Sequence, residues 1–153
     1  MKIRKYQATD IDQVFKLFFN TVHNINSKDY DSDQINVWAP ANYDYQKLNN
    51  KLVSSNSLMI EDNNLIIAFG DIQNNDYIDH FYVSHLKQGQ GIGKLLLAAL
   101  EKLVSKDITE YSSHVSISAY PFFLANVYQL VLENTVTIDN VELINYYMKK
   151  GDK

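Results

Sequence analysis

One stretch, Ile78 to Glu101 (IDHFYVSHLKQGQGIGKLLLAALE), constrains this chain more than any other: it reads as a strand, a glycine-rich turn and a helix. Tyr77 to Val83 is aromatic and β-branched, the composition of a buried strand, with Asp79 and His80 interrupting its apolar run. Three of the five glycines in the chain, Gly89, Gly91 and Gly93, fall within Gln88 to Lys94. From Ile92 the apolar positions Leu96, Ala99, Leu100 and Leu103 recur at helical spacing, with Lys94, Glu101 and Ser105 towards the other side. A glycine turn entering a helix N-terminus presents unpaired N–H groups and the positive end of the helix dipole. That is a ready site for phosphate or pyrophosphate.

Spacing rejects two common phosphate loops. A Walker loop needs GxxxxGK and then Ser or Thr, but Gly89 to Lys94 is one residue short and Leu95 follows the lysine. A dinucleotide fingerprint needs GxGxxG, and this run is GxGxG. The acetyl-CoA signature (Gln/Arg)-x-x-Gly-x-(Gly/Ala) fits, with Gln88, Gly91 and Gly93 in its fixed positions and Phe81-Tyr82-Val83 ahead of it. On these residues the chain resembles the GNAT N-acetyltransferases. Asp29 to Pro40 (DYDSDQINVWAP) is similar to a small bacterial subgroup with a Trp-Ala-Pro segment.

The resemblance implies acetyl-CoA as co-substrate and an α/β (α+β) fold, a mixed twisted sheet of six or seven strands with about four helices and splayed central strands. It implies that Phe81, Tyr82 and Val83 pair with the pantetheine arm. Gln88, Gly89, Gln90, Gly91, Ile92, Gly93 and Lys94 would then hold the pyrophosphate, with Phe122 beside them. Tyr30, Trp38 and Tyr120 would line the acceptor pocket, although Tyr30 and Trp38 equally suit packing of two short helices onto the sheet.

Length and charge narrow the class further. At 153 residues the chain is expected to form a single domain, 1–153. Its net charge of −4 argues against gripping nucleic acid by bulk charge. With no cysteine there is no disulfide framework, thiolate metal site or Cys acyl-enzyme, and no metal is expected. No apolar run approaches the ~20 residues of a membrane span, and MKIRKYQATDID has no signal-peptide core, so the expected location is cytoplasmic. The expected partner is a small-molecule or peptide amine, and the expected state a monomer or homodimer.

Along the chain, Lys2 to Tyr6 reads as a strand and Thr9 as the N-cap of a helix to about Asn26. Short helices are expected at 32–37 and 44–53, and hairpins around Glu61–Asn64 and Asp139-Asn140. Asn74–Asp76 should turn into the central strand. His114 to Ser118 should lie parallel to that strand, and Pro121 should open a helix running to about Asn126. One departure from the family stands out: Phe123 occupies the usual acid-tyrosine position, and Val127 occupies that of a usual glycine.

The chemistry needs a proton acceptor for an ammonium and a carbonyl polariser. Base candidates are Asp79 and His80, whose side chains face opposite sides of the strand unless a bulge intervenes. A backbone N–H at Tyr82 or Val83 suits the thioester carbonyl. Tyr128 is preferred over Tyr120 as acid. Lys87 and Lys94 suit the CoA phosphates. A non-catalytic acyl-CoA-binding module would share every loop feature, and a nucleotide-binding domain is the third reading.

Overall fold

In the computed structural model, which describes residues 1–104 and 110–151, a seven-stranded sheet is flanked by helices on both faces. The elements are β1 (Lys2–Lys5), α1 (Ile11–Asn24), α2 (Ser32–Trp38), α3 (Tyr45–Val53), β2 (Asn56–Asp62), β3 (Leu65–Ile72), β4 (Tyr77–Val83), α4 (Ile92–Glu101), β5 (Glu110–Ser116), α5 (Tyr120–Ala125), β6 (Gln129–Ile138) and β7 (Val141–Gly151). The strand order is β1-β2-β3-β4-β5-β7-β6. Every neighbouring pair is antiparallel except β4–β5.

Alternation along the strands divides the core into two layers. Leu58 and Ile60 of β2 join Leu96, Leu97 and Leu100 of α4 on one face. Met59, between them, joins Val14, Phe18 and Val22 of α1 and Leu48 and Leu52 of α3 on the other. Burying each such Leu or Ile contributes ~1.5–3 kcal/mol. The apolar face of α4 differs from the sequence pattern in its details. Leu97 is buried, whereas Leu103 lies beyond the helix and is exposed. Ser105 falls outside the described residues.

Two local expectations are corrected. Thr9 does not cap α1. Instead Asp10, ending a short 3₁₀ turn, accepts from the Gln7 N–H (2.8 Å) and takes a two-pronged bond from Arg4 (both 2.8 Å). Burial alone would raise the Asp10 carboxyl, but the Arg4 guanidinium holds it below its ordinary value. The second correction concerns β5, which runs from Glu110 to Ser116 and so begins before the expected His114. The hairpin expectations hold. Asn63-Asn64 and Asp139-Asn140 both take positive φ, the two-residue turn that matches strand twist.

The feature that positions the site lies at the centre of the sheet. β4 pairs with β5 only at Tyr77↔Ser112 and Ile78↔Ser113. Beyond Ile78 the two strands part, and β5 continues against β7. On its other edge β4 carries an extra residue: Ile72 opposes Ile78 and Asp71 opposes His80, leaving Asp79 as a bulge. Among the described residues no helix is long and apolar enough to cross a membrane.

Candidate active site

Two cavities of about 260 Å³ each open where β4 and β5 part. One, the loop cavity, lies between the C-terminal half of β4 and the glycine turn. The other, the inner cavity, lies between β4, β5, α2 and the β6–β7 hairpin. Phe81, Tyr82, Ser116 and Ala119 line both, so the cavities meet at these residues.

The glycine turn is built from unlike glycines. Gly89 and Gly91 sit at φ of 72° and 80°, with open space where a Cβ would stand. The backbone conformation there favours glycine whatever the room available. Gly91 is also the N-cap of α4, with no side chain closing it, so the first N–H groups of the helix stay unpaired by a cap. Gly93 answers a packing need: an added Cβ would stand 3.0 Å from the Phe122 ring. Gln88 fastens the turn to the strand, its Nε2 donating to Val83 O (2.9 Å) and Ser84 O (3.2 Å).

Most of the expected loop residues share this cavity. Phe81, Tyr82, Val83, Gln88, Gly89, Gly91, Ile92, Gly93, Lys94 and Phe122 line it, as does Lys87. Gln90 is exposed and does not line it. The β3–β4 ladder decides which backbone groups face the opening. Ser84 N donates to Ile67 O, so alternation turns the Tyr82 N–H towards β3 and those of Phe81 and Val83 towards the splay. Of the two N–H groups expected to polarise a carbonyl, that of Val83 faces the opening and that of Tyr82 does not.

Thr21 and Asn26, from α1 and the turn after it, line the loop cavity without having been singled out in the sequence. Thr21 Oγ1 donates to Val83 O (3.2 Å). Asn26 is 5% exposed; its Nδ2 donates to Ser116 Oγ (3.3 Å), while its Oδ1 has no partner among the described residues. Buried acceptors of that kind are costly unless something satisfies them.

The inner cavity has the opposite character. Tyr30, Trp38, Tyr82 and Phe81 supply aromatic walls, and Asp79 its carboxylate. Tyr30 is fixed at both ends of its hydroxyl, donating to Ile144 O (2.6 Å) and accepting from Ile117 N (2.9 Å). Its ring meets Trp38 edge to face at 5.2 Å. Burial pushes the Tyr82 hydroxyl above its ordinary range.

The bulge brings Asp79 and His80 to the same side. His80 Nδ1 stands 2.8 Å from Asp71 Oδ1 and 3.6 Å from Asp79 Oδ2. Asp71 is 1% exposed and also accepts from the His80 N–H (2.9 Å). His80 lines neither cavity, and Asp79 lines the inner one.

At the mouth stands His114 of β5, which the sequence pattern did not single out. Its Nδ1 is 2.8 Å from the Tyr77 hydroxyl, and both residues line the inner cavity. Burial lowers the His114 pKa, against the opposing pull of Asp79, while burial and then Asp79 push Tyr77 up to about 12.

Besides Gln90 and His80, two further expected residues lie elsewhere. Tyr120 packs on Tyr146 (4.7 Å between rings) and lines neither cavity. Tyr128 is 1% exposed, lines neither cavity, and donates its hydroxyl to Glu101 Oε2 (2.7 Å). Tyr128, the expected acid, therefore stands away from both cavities. Its burial, then Glu101, push its pKa far above the ordinary tyrosine value.

The reason is the end of α5. Tyr128 N donates to Phe123 O (3.0 Å) and Val127 N to Leu124 O (3.2 Å), the double bond of a Schellman cap, with Val127 left-handed at φ 75°. That cap carries a contact between the residues at its two ends, here the Tyr128 and Phe123 rings at 5.1 Å. The cap thus turns Tyr128 into the core.

The model of the acetyltransferase (GNAT) domain matches residues 26–150. An uncharacterized N-acetyltransferase of Escherichia coli (strain K12), YafP, is 29% identical over 150 residues, covering 97% of this chain and 95% of that protein. The crystal structure of a GCN5-related N-acetyltransferase (aminotransferase, class II) from Rhodopseudomonas palustris superposes with a TM-score of 0.93 at 27% identity, covering 98% of this chain and 94% of that one. The PaiA N-acetyltransferase of Thermoplasma acidophilum, solved in complex with coenzyme A, shares the fold at a TM-score of 0.79 and 20% identity, with 98% of each chain covered.

Proposed function

Because this chain belongs to the GNAT family of N-acetyltransferases, we propose that it moves the acetyl group of acetyl-CoA directly to a primary amine, the two substrates meeting at Phe81, Tyr82, Ser116 and Ala119. The observation that carries this reading is the shared wall between two cavities whose charged side chains are of opposite sign, Lys87 and Lys94 in one and Asp79 in the other.

In the loop cavity, the N–H groups at the start of α4 and the ammonium groups of Lys87 and Lys94 suit a pyrophosphate. The outward backbone of Phe81 and the unpaired Asn26 Oδ1 suit the amides of a pantetheine arm. The Val83 N–H then suits the thioester oxygen, where it would stabilise charge as the tetrahedral intermediate forms.

In the inner cavity, Asp79 takes a proton from the incoming ammonium, directly or through water, leaving a lone pair to attack the thioester carbon. The C–N bond forms, the C–S bond breaks, and the second proton, left on the nitrogen by the attack, passes to the departing thiolate or to water. A thiol pKa near ~8.5 lets the thiolate depart without a dedicated protein acid. With no cysteine in the chain, direct transfer needs no acyl-enzyme.

The test is a melt followed by a turnover assay. Acetyl-CoA should raise the melting temperature, with linkage worth ~2.7 kcal/mol at about 100 times Kd, whereas magnesium–ATP should not. Thiol release should require an added amine. Binding without amine-dependent release would instead favour a non-catalytic acyl-CoA-binding module.

A further inference from the structure

Resting on that amine-transfer reading, we propose that the inner cavity selects a primary amine borne on a flat, uncharged body and rejects amines that carry a carboxylate beside the nitrogen. The charge inventory argues it. Among the described residues that line the cavity, Asp79 is the only carboxylate, and there is no lysine or arginine. A second carboxylate, Asp71, stands behind Asp79 on β3, 1% exposed and paired with His80 (2.8 Å), which lines neither cavity. His114 at the mouth has its pKa lowered by burial, so at neutral pH it offers an acid no counter-cation. An ammonium is attracted here; a carboxylate would meet like charge with no lysine or arginine to pair with it.

The walls set the shape of the body. Tyr30 has both functions of its hydroxyl committed to backbone, and its ring meets Trp38 edge to face, so these residues offer the cavity mainly their carbon faces. Opposite them, Val136, Ile138 and Leu143 come from the β6–β7 hairpin. Two polar neighbours are partly engaged. Ser113 Oγ donates to Ile78 O (2.8 Å), and Asn145 Oδ1 accepts from Asn134 (3.1 Å). Aromatic faces beside a lone carboxylate are an environment for an ammonium on an apolar stem. The contrast with the loop cavity, lined by Lys87 and Lys94, locates anion recognition on the other side of the shared wall.

Tyramine and tyrosine form a matched pair that differs by the carboxylate. With acetyl-CoA saturating, tyramine should exceed tyrosine in kcat/KM by about a hundredfold or more, the scale of unscreened repulsion between close like charges. In the CoA-bound protein, tyramine should raise the melting temperature while tyrosine leaves it unchanged. Asp79→Asn should shrink the discrimination in binding to within tenfold. Equal use of the two amines by the wild-type protein would overturn the proposal, as would CoA binding with no response to tyramine, or a preference that survives Asp79→Asn. A protein whose melt ignores CoA altogether would instead remove the amine-transfer reading, and this proposal with it.

Discussion

The two cavities share four residues yet differ in how they are made. The loop cavity depends on backbone: left-handed glycines, an uncapped helix start, and strand N–H groups turned outward by a ladder that continues on one side only. The inner cavity depends on side chains drawn from distant segments, with Tyr30 and Trp38 from the α2 region, Asp79 from the bulge, and Leu143 from the final hairpin. A backbone site needs a particular local sequence, so it reads as a motif. A side-chain site needs only that the fold bring residues together, and so its specificity can change while the first site stays fixed.

The sharpest way to break this comparison is to damage the loop cavity alone. Gly91→Val puts a β-branched residue at φ 80°, and although a Cβ there meets open space, the turn must change shape. The acetyl-CoA-induced melting shift should vanish while the unliganded melt stays cooperative. Unchanged affinity in a folded variant would return the glycines to a turn-only role.

Damage to the inner cavity should be felt in rate and not in cofactor affinity. Asp79→Asn should lower kcat/KM for the amine by ~10²–10⁴ while leaving Kd for acetyl-CoA within about threefold. A parallel loss of acetyl-CoA binding would mean that the cavities are not separable.

Tyr128→Phe lies outside both cavities and should act on stability alone. Losing a bond to Glu101, which keeps its contact with Lys150 (2.9 Å), should cost ~1–3 kcal/mol with kcat/KM nearly unchanged. The pH dependence carries a sign. The folded-state pKa of Tyr128 is raised, so its contribution is intact below pH ~10 and is lost as pH rises further, when the unfolded chain can ionise its tyrosine. Denaturant melts from pH 7 to 11 should therefore show a flatter alkaline limb in the variant. A hundredfold loss of rate would restore Tyr128 as the acid.

The smallest expected effect is at Val127. Val127→Gly relieves a left-handed β-branched residue and should stabilise the protein by about 1 kcal/mol, read as a higher melting temperature with unchanged turnover.

What the sequence disclosed follows the same division. Gln88, Gly91 and Gly93 were legible because each answers a local backbone or packing demand. Tyr30 and Trp38 were legible as alternatives, and both do line the inner cavity while packing on each other. Asp71 escaped notice because it pairs with His80 across a bulge, and one inserted residue changes which side chains share a face. His114 escaped because β5 starts at Glu110, which places it at the mouth opposite Asp79. Asn26 looked like the end of a helix; its orphaned oxygen is visible only once Ser116 stands beside its nitrogen. Tyr128 lies away from both cavities for a local reason: Val127 keeps the left-handed cap that a glycine would favour, and the cap turns the next ring inward.

The central claim is that both substrates stand on the shared wall at once. Initial rates of CoA release, measured as acetyl-CoA and tyramine are varied together, test it most directly. Direct transfer predicts double-reciprocal lines that intersect and a protein mass unchanged by acetyl-CoA alone. Parallel lines with an acetylated protein, or thiol release indifferent to the amine, would contradict it.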